Sequence, residues 1–141
     1  MSQTLRPRGI RNNNPGNIRD AGTQWRGLRG NDGAFCIFDT PENGIRALAR
    51  ILFNYRAKAG IAGTGNAGID TVREIIARWA PPSENDTEAY IASVCQAMLG
   101  IVSTTPIALD QYPLLIAGII QHENGQQPYT AEQIAAGIAA A

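Results

Sequence analysis

Residues 114–129, LLIAGIIQHENGQQPY, begin apolar on every side and then end in a cluster of polar side chains. Leu114, Leu115, Ile116, Ile119 and Ile120 leave a helix no solvent face, the pattern of a helix wrapped by others rather than lying on a surface. Pro113 suits the first helical position, where a missing N–H is no loss, and Asn124-Gly125 supplies the left-handed residue that ends helices. His122 and Glu123 therefore stand at the buried or half-buried tip of a core helix. A general acid is held in this way, and so is an ordinary polar helix terminus.

The segments on either side are helical too. Downstream, Thr130 with Gln133 caps a final Ala-rich helix. Upstream, residues 106–111 fit a short helix, and residues 83–88 precede a stripe of Ile91, Val94, Cys95 and Met98, with Asn85 and Glu88 as its expected cap. Thr71 with Glu74 makes a capping box ahead of Val72, Ile75, Ile76 and Trp79, a stripe stopped by Pro81-Pro82, and Trp79 reads as core. Asp39-Thr40-Pro41-Glu42 opens another helix, with Ile45, Leu48, Ala49 and Leu52 on one face. Between these two, the glycine-rich residues 61–68 predict a mobile surface loop.

The first 38 residues follow a different pattern. Residues 1–8 read as a loose N-terminal arm, and residues 9–19 are too rich in turn formers for a helix. Pro15-Gly16 fits the centre of a type II turn. Trp25-Arg26-Gly27 lies in a second glycine-rich stretch, and residues 34–38 are the best strand candidate, which predicts a small hairpin or sheet. The fold class is mainly α (α+β), one domain over residues 1–141 with a small N-terminal β element.

Composition narrows the chemistry. Cys36 and Cys95 have no partner at metal spacing and read as small core residues, and there is no P-loop, G-x-S-x-G or H-E-x-x-H. With His122 the one histidine, a zinc site or a serine triad has too few members. No metal or cofactor is expected, and what remains is carboxylate chemistry or none. The net charge is zero, yet all twelve Lys and Arg lie at or before Arg78. That distribution suits either an anionic polymer or a basic face that complements the acidic part. No aromatic and basic interleaving marks a nucleic-acid module, so nucleic acid is not expected as a partner. No stretch is long enough for a membrane span, and the N-terminus lacks the apolar core of a signal peptide. Synthesis in the bacterial cytoplasm follows, with work outside the inner membrane reached by another route.

Three motifs, Asn14-Pro15-Gly16-Asn17-Ile18-Arg19, Trp25-Arg26-Gly27 and Phe35-Cys36-Ile37-Phe38-Asp39, resemble the β-rich part of the lysozyme-like superfamily of peptidoglycan glycosidases. That superfamily includes phage muramidases and lytic transglycosylases. Its catalytic helix, ending in Glu and then Ser/Asn-Gly, normally comes first; here the matching helix is the one ending at Glu123-Asn124-Gly125, so the order looks circularly permuted. The chain is also similar, over almost its whole length, to small phage virion proteins that share the Asn-rich motif, residues 79–87 and His122-Glu123-Asn124-Gly125.

The resemblance implies a lysozyme-like domain that cleaves peptidoglycan glycan strands, with Glu123 as general acid. Asp20 and Asp39 are candidates for a second carboxylate, and Asp39 equally fits a helix cap. Asn14, Asn17, Trp25, Glu84, Tyr112, His122 and Tyr129 are candidates for substrate binding, each with a core, rim or capping role as its alternative. A permuted fold predicts that residues 35–39 pack close to Glu123. The same resemblance also allows a virion or tail component that binds cell wall or other virion proteins without turnover, acting in the virion or in the periplasm after injection.

Overall fold

A computed structural model describes residues 6–141 of the chain. The helices are α1 (Arg8–Arg11), α2 (Pro41–Tyr55), α3 (Val72–Trp79), α4 (Thr87–Ala97), α5 (Tyr112–Asn124) and α6 (Ala131–Ala139), with a 3-10 turn at Leu109–Gln111 before α5. Strands β1 (Leu28–Asn31) and β2 (Cys36–Phe38) form one antiparallel hairpin, pairing Leu28 with Phe38 and Asn31 with Cys36 around a bulge. The expected mainly helical domain with a small β element is the one observed.

Helix α5 packs against α4, α6 and α1. Its Leu115, Ile116, Ile119 and Ile120 are fully buried, each side chain contributing about 1.5–3 kcal/mol through loss of water contact. Leu114, expected to be wrapped, is 38% exposed. On the α4 side the approach depends on Gly118, where a Cβ would lie 3.0 Å from that of Ala97. Gly125 ends α5 in the left-handed conformation at φ 72°, as the Asn-Gly pair predicts.

Helix α2 starts where Thr40 accepts a hydrogen bond from the Asn43 amide, and it buries Ile45, Leu48, Ala49 and Leu52 as its spacing requires. It packs on α6, whose Gly137 leaves room for Ile45. Thr130 and Gln133 cap α6 reciprocally.

Four details differ from the sequence expectations. Of the loose arm at residues 1–8, residues 1–5 lie outside the described residues, and Arg8 already begins α1. That short turn forms despite the nearby asparagines because Gly9 and Ile10 bury against the end of α5. The cap of α4 is Asp86 rather than Asn85, accepting from the Ala89 amide, while Asn85 donates to the Pro81 carbonyl and Glu88 pairs with Arg73. Residues 61–68 do form an exposed loop, but buried acids tie it down: Glu74 accepts from the Ile61 amide and Asp70 from Asn66. Trp79 is half-buried and lies on the wall of a cleft rather than in the core.

Candidate active site

The site begins with the asparagines of residues 12–17. Asn14 is fully buried and organises the loop, its Nδ2 donating to the Ile18 and Cys36 carbonyls and its Oδ1 accepting from the Ile18 amide. The Asn17 amide closes a turn on the Asn14 carbonyl at 2.9 Å, with Pro15 and Gly16 at its centre. The turn is not type II, because the left-handed residues are Asn13 and Asn17, both at φ 51°, and Gly16 is not one of them. Asparagine adopts this conformation at low cost, and here it aims the Asn17 side chain at the end of α5.

Glu123 meets it there. Asn17 Nδ2 donates to Glu123 Oε1 at 2.9 Å across a separation of 106 residues, and the Tyr90 hydroxyl donates to Oε2 at 2.7 Å. Both carboxyl oxygens are thus fixed by side chains from other parts of the chain. Burial, followed by the Glu123 charge and hydrogen bond, pushes the Tyr90 phenol far above its ordinary range, with Trp79 acting the other way. Tyr90 therefore remains a donor at any physiological pH. His122 is exposed and stacks on the Tyr90 ring at 3.8 Å between centroids. Next along α5, Asn124 turns inward and donates to the Pro15 and Ile120 carbonyls, which locks the helix end to the Asn-rich loop. The junction leaves no space at Gly9, where a Cβ would lie 2.6 Å from Asn124 Oδ1 and 2.9 Å from Asn17 Oδ1.

Glu123 faces a cleft of about 600 Å³, within the roughly 300–1,000 Å³ usual for ligand sites. The Asn-rich loop and hairpin contribute Asn17, Arg19 and Phe35; α2 contributes Ile51 and Tyr55; α3 and its continuation contribute Arg78, Trp79, Glu84 and Asn85. A second cavity of about 180 Å³ adjoins, lined by Asp86, Tyr90 and His122, and it shares Asn85 and Glu123 with the first. The cleft mixes the aromatic and apolar side chains of Phe35, Ile51, Tyr55 and Trp79 with the polar and charged ones of Asn17, Arg19, Arg78, Glu84, Asn85 and Glu123.

Glu123, Asn17 and Glu84 line the larger cleft together with Phe35, and His122 lines the adjoining cavity, which Glu123 shares. Other candidates lie elsewhere. Tyr112 is fully buried beneath Phe53, its hydroxyl accepting from Arg56. Trp25 and Tyr129 pack half-buried against the core, outside both cavities. Asp20 accepts from the Asn31 side chain and the Gly22 amide, and these bonds lower its pKa. Asp39 accepts from the Asn43 side chain before α2, which lowers its pKa as well. Neither aspartate lines either of these two cavities, and the acids of the larger cleft are Glu84 and Glu123. Sequence reasoning missed Tyr90, Tyr55 and Arg78. Tyr90 lies four residues before Val94 on the buried face of α4, a position that reads as core, and nothing local reveals that its hydroxyl reaches α5.

No helix among the described residues is long and apolar enough to cross a membrane, and no cluster of metal-ligating side chains occurs among them. Fold and cleft together define a mainly helical domain with a half-buried carboxylate, Glu123, on the wall of its cleft. No family model matches the chain. It is, however, 44% identical over 136 residues to protein P5 of Pseudoalteromonas phage PM2, an alignment that covers 93% of this chain and 79% of that protein. The chain belongs to the family of this phage protein.

Proposed function

We propose that this protein is a component of a phage particle whose cleft binds host peptidoglycan and cleaves its glycan strands, with Glu123 as the general acid. The observation that carries the proposal is the Glu123 carboxyl at the tip of a core helix, oriented by Asn17 and Tyr90 and open to an aromatic-walled cleft. Its proton passes to the glycosidic oxygen as the C1–O bond breaks, and the leaving sugar departs with a free hydroxyl.

Two completions are chemically balanced. In the first, the Glu123 carboxylate takes the proton from the sugar's own C6 hydroxyl, whose oxygen closes on C1 and leaves an anhydro end. In the second, water attacks C1 with help from another carboxylate, for which Glu84 is the acid available in the cleft. The lysozyme-like permuted fold belongs to this proposal and is supported by the convergence of the Asn-rich loop, Phe35 and Glu123. No cofactor takes part in either completion.

Mass analysis of soluble products from purified peptidoglycan tests the proposal. Anhydro ends select the first completion, reducing ends the second, and no release from several peptidoglycan types rejects cleavage. Kinship with a phage protein favours a second reading, a virion component that binds cell wall or neighbouring virion proteins without turnover. Binding to peptidoglycan without product release selects it.

A further inference from the structure

The charges of the cleft are sorted by element. Its acids are Glu84, from the connection between α3 and α4, and Glu123, from α5; its bases are Arg19, beside the hairpin, and Arg78, from the last turn of α3. Each guanidinium lies over an aromatic ring of the same cleft, Arg19 at 4.8 Å from the Phe35 centroid and Arg78 at 5.4 Å from that of Tyr55. The Arg19 backbone is fixed as well, paired with Phe35 in a β-bridge. Among the described residues the ion pairs are Arg8 with Asp32 and Arg73 with Glu88, so Arg19 and Arg78 carry no acid partner. A neutral sugar chain offers such forks only single, uncharged acceptors, its hydroxyls and acetamido carbonyls. A planar carboxylate matches them by paired, charge-assisted hydrogen bonds.

We propose that Arg19 and Arg78 are specificity-determining residues that bind a carboxylate carried by the stem peptide of the glycan, so that the cleft selects peptide-bearing strands over neutral N-acetylglucosamine polymers. This rests on the cleft being a glycan site. The two arginines act on substrate choice, and proton transfer stays with Glu123.

The test is binding, measured by calorimetry for two probes of equal sugar length, a peptide-bearing muramyl oligosaccharide and a chitooligosaccharide. A third probe, the muramyl oligosaccharide stripped by an amidase, keeps the lactyl carboxylate and lacks the peptide. Wild-type protein is expected to prefer the peptide-bearing probe to both others, with each arginine contributing about tenfold and the preference shrinking as salt rises. In an Arg19→Gln/Arg78→Gln double variant all three probes should bind alike, and Arg→Lys replacements should recover only part of the preference, because lysine restores charge without the fork.

Equal binding of the stripped and peptide-bearing probes overturns the assignment to the peptide carboxylate. A preference that survives in the double variant overturns the role of the arginines. Product release is read separately on wild-type protein: selective binding without release leaves this inference standing and rejects cleavage, whereas equal release from chitin and peptidoglycan does the reverse. Absence of binding to every probe overturns both.

Discussion

Glu74 and Glu123 are both carboxylates within the helical layers, and they are held in opposite ways. Glu74 is 2% exposed and is bonded within its own neighbourhood: Oε2 accepts from the Ile61 amide, and Oε1 from the Thr71 hydroxyl and the Asp70 amide. A Cβ on Gly60 would collide with it. Glu123 is half-buried, bonded by two side chains from remote segments, and opens on two cavities. Glu74 closes a loop by accepting from two main-chain amides and a hydroxyl three residues away. Glu123 is oriented by side chains alone and keeps one side open to the cleft.

The largest effect expected from this contrast is on turnover. Glu123→Gln keeps size but removes the transferable proton and leaves one accepting oxygen where there were two, so glycan release should fall by about 10²–10⁴-fold with only a small change in melting temperature. Release at the wild-type rate would move the acid to Glu84. Glu74→Ala should do the reverse, costing about 1–3 kcal/mol for each donor left buried without an acceptor, as measured by urea unfolding. A stable Glu74→Ala protein would erase the distinction between the two acids.

Tyr90→Phe removes one of the two groups that orient Glu123. It should lower kcat by roughly tenfold, from the loss of one charge-assisted hydrogen bond, and leave KM and the fold largely intact. A matching fall in stability would make Tyr90 a core residue and nothing more.

The smallest effect is expected at an exposed acid of the hairpin. Asp32 accepts from the Phe35 amide and the Asn12 side chain, which lower its pKa to about 2 in the folded protein. A depressed folded value means that its contribution is complete above its ordinary pKa and is lost as pH falls through about 2. The melting-temperature gap between wild type and Asp32→Asn should therefore be constant near neutrality and close on acidification between roughly pH 4 and pH 2. A gap that widens with acid would contradict the bonding seen around Asp32.

These contrasts follow the line between what the sequence shows and what it conceals. Periodicity and caps make α2, α5 and α6 legible, because each buries one stripe or is wrapped entirely, and those signals are local. Glu123 was accessible for the same reason, standing between an apolar run and an Asn-Gly stop. Asn14 and Asn17 share a motif, yet one folds the loop and the other reaches the acid. Their difference comes from a left-handed turn at Asn17, whereas Pro15-Gly16 suggested a left-handed glycine. Trp79 falls on an apolar stripe and still borders the cleft, since α3 ends there and exposes its last turn. Tyr90 and Arg78 were invisible as site residues, because what they face is set by helices elsewhere in the chain.

The bond between Asn17 and Glu123 also dictates when the site exists during folding. It spans 106 residues and is reinforced by Asn124 gripping the Pro15 carbonyl, so the early loop has no destination until α5 has formed. Contacts so distant in sequence form late, after the entropy of closing the intervening chain has been overcome. On the ribosome, where the N-terminal part emerges first, the hairpin and α2 can collapse while the cleft still lacks its acid. In a nascent chain the Asn17 side chain therefore waits for its carboxylate, and the cleft is completed only when α5 arrives.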